Sequence, residues 1–128
     1  MILETKRLKS NYDYLAPDTS EIRLLLHMRD GGLAHCTLPP NAISTTHVHK
    51  YVDEMWYFIQ GHGKVWRREG EIGPGEELEV EPGICLTIPT GTYFQFRNIG
   101  PESLVFLVTM PPWPDTDEAV KVEDHWKD

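Results

Sequence analysis

The stretch Thr46-His47-Val48-His49-Lys50-Tyr51-Val52-Asp53-Glu54 decides how this chain is read. On a β-strand, side chains two residues apart share a face, so His47 and His49 can meet one metal ion. Glu54 has the other parity. It joins them only if Lys50 to Asp53 turn and the chain returns as a neighbouring strand. Two imidazoles and one carboxylate on one side of an ion leave open positions, which suits Fe(II) and also Zn, Mn or Ni. A lone His-x-His carries little weight, because it is equally the mark of surface residues near a turn.

Working outward, the chain reads as short strands between turns. The expected strands are Glu21 to Arg29, Leu33 to Leu38, Thr45 to His49, Glu54 to Gln60, Lys64 to Arg67, Glu77 to Val80, Ile84 to Ile88, Thr92 to Asn98 and Leu104 to Thr109. Between them lie turn signals such as Asp30-Gly31-Gly32, Pro39-Pro40-Asn41, Gly61-His62-Gly63, Gly73-Pro74-Gly75 and Pro89-Thr90-Gly91. No long segment has helical periodicity. Many short strands without helices predict a sandwich or barrel. Strand 54 to 60 is apolar on both faces, with Trp56 and Phe58 on one and Met55, Tyr57 and Ile59 on the other. Such a strand needs cover on both sides, which predicts a homodimer.

The spacing His47-x-His49, four residues, Glu54, six residues, Gly61 resembles the first motif of the cupin family. Asn41 stands where that motif usually has Gly, and Asn also takes turn geometry. Gly83, five residues, Pro89-Thr90-Gly91 and then Asn98 resemble the second motif. The two motifs cover about half of the chain. The resemblance implies an all-β double-stranded β-helix, the jelly-roll or cupin barrel. A single domain of residues 1–128 is expected, its barrel core at about 20–110, with an N-terminal strand and a C-terminal tail. It implies a divalent transition metal held by His47, His49 and Glu54, and a small-molecule dioxygenase, isomerase, lyase or decarboxylase. One position departs from the family. Where the second motif has its fourth ligand, a His, this chain has Phe94.

Trp56 and Phe94 share a face with the expected ligands and are pocket candidates. His35 is a third, or else a structural histidine. Two alternatives stand beside the metalloenzyme. One is a metal-free sugar isomerase or epimerase, with His49 as base and Tyr93 as acid. The other is a non-catalytic small-molecule binding module.

The formal net charge of -8 and the scattered basic residues argue against a nucleic-acid partner. No run approaches the roughly 20 apolar residues that span a membrane, and no signal segment is apparent, so a cytoplasmic location is expected. Cys36 and Cys85 are too few for a disulfide scaffold, and their apolar flanks predict buried free thiols. Trp113 and Trp126 are expected to tether the tail across the barrel or a partner chain.

Overall fold

The computed structural model describes residues 1–112 and 118–127, apart from the side chain of Met110. The expected tether through Trp113 lies outside the described residues. Eleven strands are present, and no helix is found among the described residues. They are β1 (Tyr14–Leu15), β2 (Glu21–Met28), β3 (Gly31–Leu38), β4 (His47–His49), β5 (Glu54–Gln60), β6 (Gly63–Glu69), β7 (Gly75–Val80), β8 (Cys85–Ile88), β9 (Thr92–Asn98), β10 (Leu104–Met110) and β11 (Ala119–Lys121).

The strands form two antiparallel sheets, ordered β1-β2-β3-β10-β5-β8 and β11-β4-β9-β6-β7. This is the all-β jelly roll. All nine expected strands exist. β1 and β11 were not legible in the sequence, because two or three residues are too short to show a period.

The alternation in β5 shows how sequence builds the core. Glu54, Trp56 and Phe58 are buried, while Met55, Tyr57 and Ile59 are exposed. Inside, Trp56 stacks on Phe106 at 4.4 Å between ring centroids and meets Phe94 edge-on at 5.5 Å. Such aromatic pairs add to the area they remove from water. In β8, Leu86 and Ile88 point inward, so Cys85 points outward. Its thiol is exposed, contrary to expectation, because strand parity outweighs an apolar neighbourhood. Cys36 is a buried free thiol.

Asn41 takes the left-handed conformation, φ 65°, in place of the usual Gly. At Gly61, φ is 88°, and a β-carbon would sit 2.6 Å from the Ser103 carbonyl oxygen. Only Gly fits there, and this close approach lets β5 turn into β6 beside the start of β10. Gly70 also has positive φ, 74°, but open space around it. Gly61→Ala should therefore destabilise the protein by about 2–4 kcal/mol, summing backbone strain and overpacking. Gly70→Ala should cost about 1 kcal/mol, from the backbone alone. Urea unfolding of the two variants checks the difference.

Candidate functional site

One end of the barrel encloses a cavity of about 480 Å³. Its polar lining comes from four places in the chain: Asp18 from the loop before β2, His47 and His49 from β4, Glu54 from the start of β5, and Tyr14 from β1. Trp56, Phe94 and Phe106 form the apolar side. Thus the structure brings His47, His49, Glu54, Trp56 and Phe94 to one cavity.

His35 is not there. Its neighbours Ala34 and Cys36 line the cavity, so strand parity turns His35 to the outer face of β3. Ala34 and Cys36 face inward on the same side of the sheet as Phe106, which is cross-strand from Cys36, and as Trp56 one strand further on. Tyr93 also points away, with its hydroxyl toward Glu71 and the Arg68 guanidinium over its ring. The tyrosine at the cavity is Tyr14.

Each polar side chain is positioned by specific bonds. The Trp56 indole N–H donates to Glu54 Oε1 at 2.8 Å. Asp18 accepts from the Ser20 hydroxyl at 2.6 Å and the Ser20 amide at 3.0 Å. Thr19, between them, has φ 80°, which for a β-branched residue costs about 1–3 kcal/mol. His47 Nδ1 lies 3.4 Å from the Thr45 hydroxyl and 3.5 Å from its carbonyl. His49 Nδ1 lies 3.9 Å from Glu54 Oε2 and 3.7 Å from Glu118 Oε1. Asp18 and Glu118 carried no sequence signal of their own; each is one acidic residue in a polar stretch.

Burial sets the protonation of the site. It pushes the Glu54 carboxyl up to about 7, assisted by the nearby Asp18 and Glu118 and opposed by the Trp56 hydrogen bond. Burial also raises Asp18 and lowers His47 and His49. For His49, the Glu118 charge works against that lowering. The result is a carboxyl that can hold a proton beside an imidazole that tends to be neutral.

The donor types suit a divalent ion. The arrangement does not: among the described residues, no three His, Cys, Asp or Glu side chains are placed to hold one. Glu54 Oε1 is occupied by Trp56, and Phe94 stands at the fourth position with its ring centroid 5.3 Å from that of His49.

The Cupin domain family model matches residues 34–110, and the chain belongs to that family. It is 28% identical over 98 residues to the spore coat polysaccharide biosynthesis protein SpsL of Bacillus subtilis, covering 70% of this chain and 64% of SpsL. The chain therefore spans a little less than two thirds of that relative. The capsular polysaccharide assembling protein CapF of Staphylococcus aureus superposes with TM-score 0.78 at 18% identity, over 94% of this chain and 35% of CapF. KdgF from Halomonas superposes with TM-score 0.68 at 22% identity, over 88% of this chain and 97% of KdgF. These two likenesses carry the fold.

The Glu54 shift has a measurable consequence. Between about pH 4.5 and 7 the unfolded chain has lost this proton while the folded chain keeps it. The native state then binds more protons, so this group's contribution to stability falls as pH rises through that window and is level above it. The shift corresponds to about 3 kcal/mol. The lowered histidines act in the opposite sense, so a difference isolates Glu54. In metal-free protein, Glu54→Gln should gain stability relative to wild type as pH rises from 4.5 to 7, read by urea unfolding at each pH.

Proposed function

We propose that this cupin performs acid–base chemistry on a neutral, hydroxyl-rich small molecule of the sugar class, with His49 as base and Glu54 as acid. The observation that carries this reading is a buried imidazole and a buried carboxyl 3.9 Å apart at a cavity whose described lining includes no Lys or Arg. A carboxylate or phosphate bound there would meet Asp18 and Glu54 with no counter-charge, a penalty of several kcal/mol for a desolvated anion. Hydroxyl groups need no counter-charge and can both donate and accept. Trp56, Phe94 and Phe106 offer apolar surface to the faces of a ring. A proton-bearing Glu54 and a neutral His49 are the protonation states that proton transfer at neutral pH needs. The names of SpsL and CapF, both tied to polysaccharides, support the substrate class.

A second reading rests on the shared cavity: once Glu54 is released from Trp56 and the side chains reorient, His47, His49 and Glu54 would hold a divalent transition metal. Such an ion would supply the positive charge that the lining lacks and open the cavity to anionic ligands.

Neutral sugars incubated with the protein in D2O should lose a carbon-bound proton signal in proton NMR. His49→Ala and Glu54→Gln should slow that exchange by about 100-fold or more, whereas His62→Ala should leave it unchanged. Elemental analysis of protein purified without added metal should give far less than one equivalent. Stoichiometric metal that disappears in His47→Ala replaces the first reading with the second. Saturable binding of a sugar without exchange leaves a non-catalytic binding module.

We also propose a homodimer through the outer face of β5, β8 and β10. Met55, Tyr57 and Ile59 are exposed there, beside Cys85, Thr87 and Thr109. An open groove of about 1260 Å³, lined by Leu26, Met28, Leu33 and Met55, adjoins them. The strand residues named on this face carry no charge, on a chain whose net charge is -8, although Arg29, Asp30 and Asp53 also line the adjoining groove; two copies can meet over the strands with little like-charge repulsion. Light scattering at micromolar concentration should report a dimer, and Tyr57→Glu should convert it to monomer. A monomeric wild type removes the proposal.

A further inference from the structure

The segment 118–127 is tied firmly to the strand that carries the histidines. β11 pairs with β4 in the register Ala119↔His49, Val120↔Val48 and Lys121↔His47. The Thr46 amide donates to Asp124 at 2.9 Å, and the Val122 amide donates to the Thr46 carbonyl at 3.0 Å. Gln95 and Trp126 exchange two bonds, 2.7 and 2.9 Å long. His125 stacks on Trp66 with centroids 4.6 Å apart.

This strap brings one side chain to the cavity's rear. Glu118 is buried. Its backbone carbonyl accepts from the Lys50 amide at 3.0 Å. Its Oε1 accepts from the amides of Tyr51 at 2.8 Å and Val52 at 2.6 Å. The same oxygen lies 3.7 Å from His49 Nδ1, while Oε2 accepts no hydrogen bond among the described residues. Ala119 lines the cavity and Glu118 does not, so the carboxylate stands behind the imidazole.

Holding two backbone amides needs only a neutral acceptor. A buried carboxylate costs more desolvation than an amide side chain of the same shape. What the charge adds is a negative potential at one ring nitrogen. We propose that Glu118 is the positioning residue for His49, keeping the imidazole proton on Nδ1 and leaving the Nε2 lone pair for the cavity. Glu54 Oε2 lies 3.9 Å from the same nitrogen, but a proton-bearing Glu54 gives it no negative charge, so the selection falls to Glu118. A carboxylate or carbonyl behind one ring nitrogen selects the tautomer at the other.

The inference rests on His49 being the working base, but its test needs no substrate. Protein labelled with 15N-histidine is examined by long-range proton–nitrogen correlation at a pH where the ring is neutral. Wild type should show a protonated Nδ1 and an unprotonated Nε2 for His49. Glu118→Gln keeps an oxygen for the two amides, so the fold is retained, and should lose most of the Nδ1–H population to the Nε2–H form. Glu118→Asp should restore part of it, and Glu54→Gln should change it least. An Nε2–H tautomer in wild type overturns the inference on its own. So does an Nδ1–H population that survives Glu118→Gln, or one lost in Glu54→Gln instead. Absence of deuterium exchange on sugars, with the tautomer as stated, sinks the catalytic reading and leaves the role of Glu118 standing.

Discussion

The cavity depends on the pairing of a strand only three residues long. β4 makes few hydrogen bonds of its own, yet it is flanked on both sides, by β9 through His47↔Phe94 and Val48↔Tyr93 and by β11 along its whole length. A slip of one residue would turn both histidines outward and Val48 inward. Two flanking strands and the bond from the Gly91 amide to the His49 carbonyl, 3.0 Å, forbid that slip. The turn that follows is fixed in the same way. Glu118 holds its amides, Val52 is buried, and Asp53 accepts from the Thr90 amide at 2.7 Å. Only with that turn fixed does Glu54 return beside His49, since five residues of separation put it on the wrong parity for a straight strand.

What the sequence revealed and what it hid divide along a physical line. Period-two alternation and turn residues are local properties, so β2 to β10 and the inward face of β5 were legible. His47, His49 and Glu54 were legible because their spacing is tied to one turn. His35 was misplaced for want of one global fact, namely which face of β3 meets the rings of Trp56 and Phe106. Parity pairs His35 with Leu33 and Thr37 correctly, but parity alone does not say which set lies inside. Glu118 and Asp18 stayed hidden because their roles come from tertiary placement. Nothing within three residues of either distinguishes it from a solvated carboxylate. His125 is likewise placed by elements distant in sequence, held between Trp66 and Glu77.

The electrostatics of the cavity follow from its dryness. Acidic groups at the surface of this chain are screened and inexpensive to ionise, whereas Glu54 is buried and Asp18 partly so. Asp18 and Glu118 raise Glu54's cost of ionising, because like charges in a poorly screened space repel strongly. The histidines shift in the direction that also reduces buried charge. This reduction of buried charge is the electrostatic basis of the proposed preference for uncharged partners.

Phe94 links this protonation pattern to the chain's departure from the family motif. A histidine at that position would bring another polar nitrogen, with its own demand for water or an ion, next to His47 and His49. The phenyl ring instead lies in register with His47, 5.3 Å from His49 and edge-on to Trp56. It closes one side of the cavity with carbon. The imidazole of His49 therefore loses solvation, which is the largest contribution to its lowering. Glu54 shares the same enclosed space, and burial is likewise the leading cause of its rise. The loss of a fourth donor and the appearance of an acid–base pair are thus two consequences of one substitution of ring for ring. The apolar ring withholds a ligand, and burial leaves the imidazole tending to be neutral and the carboxyl able to keep a proton, the states that the proposed acid–base roles need.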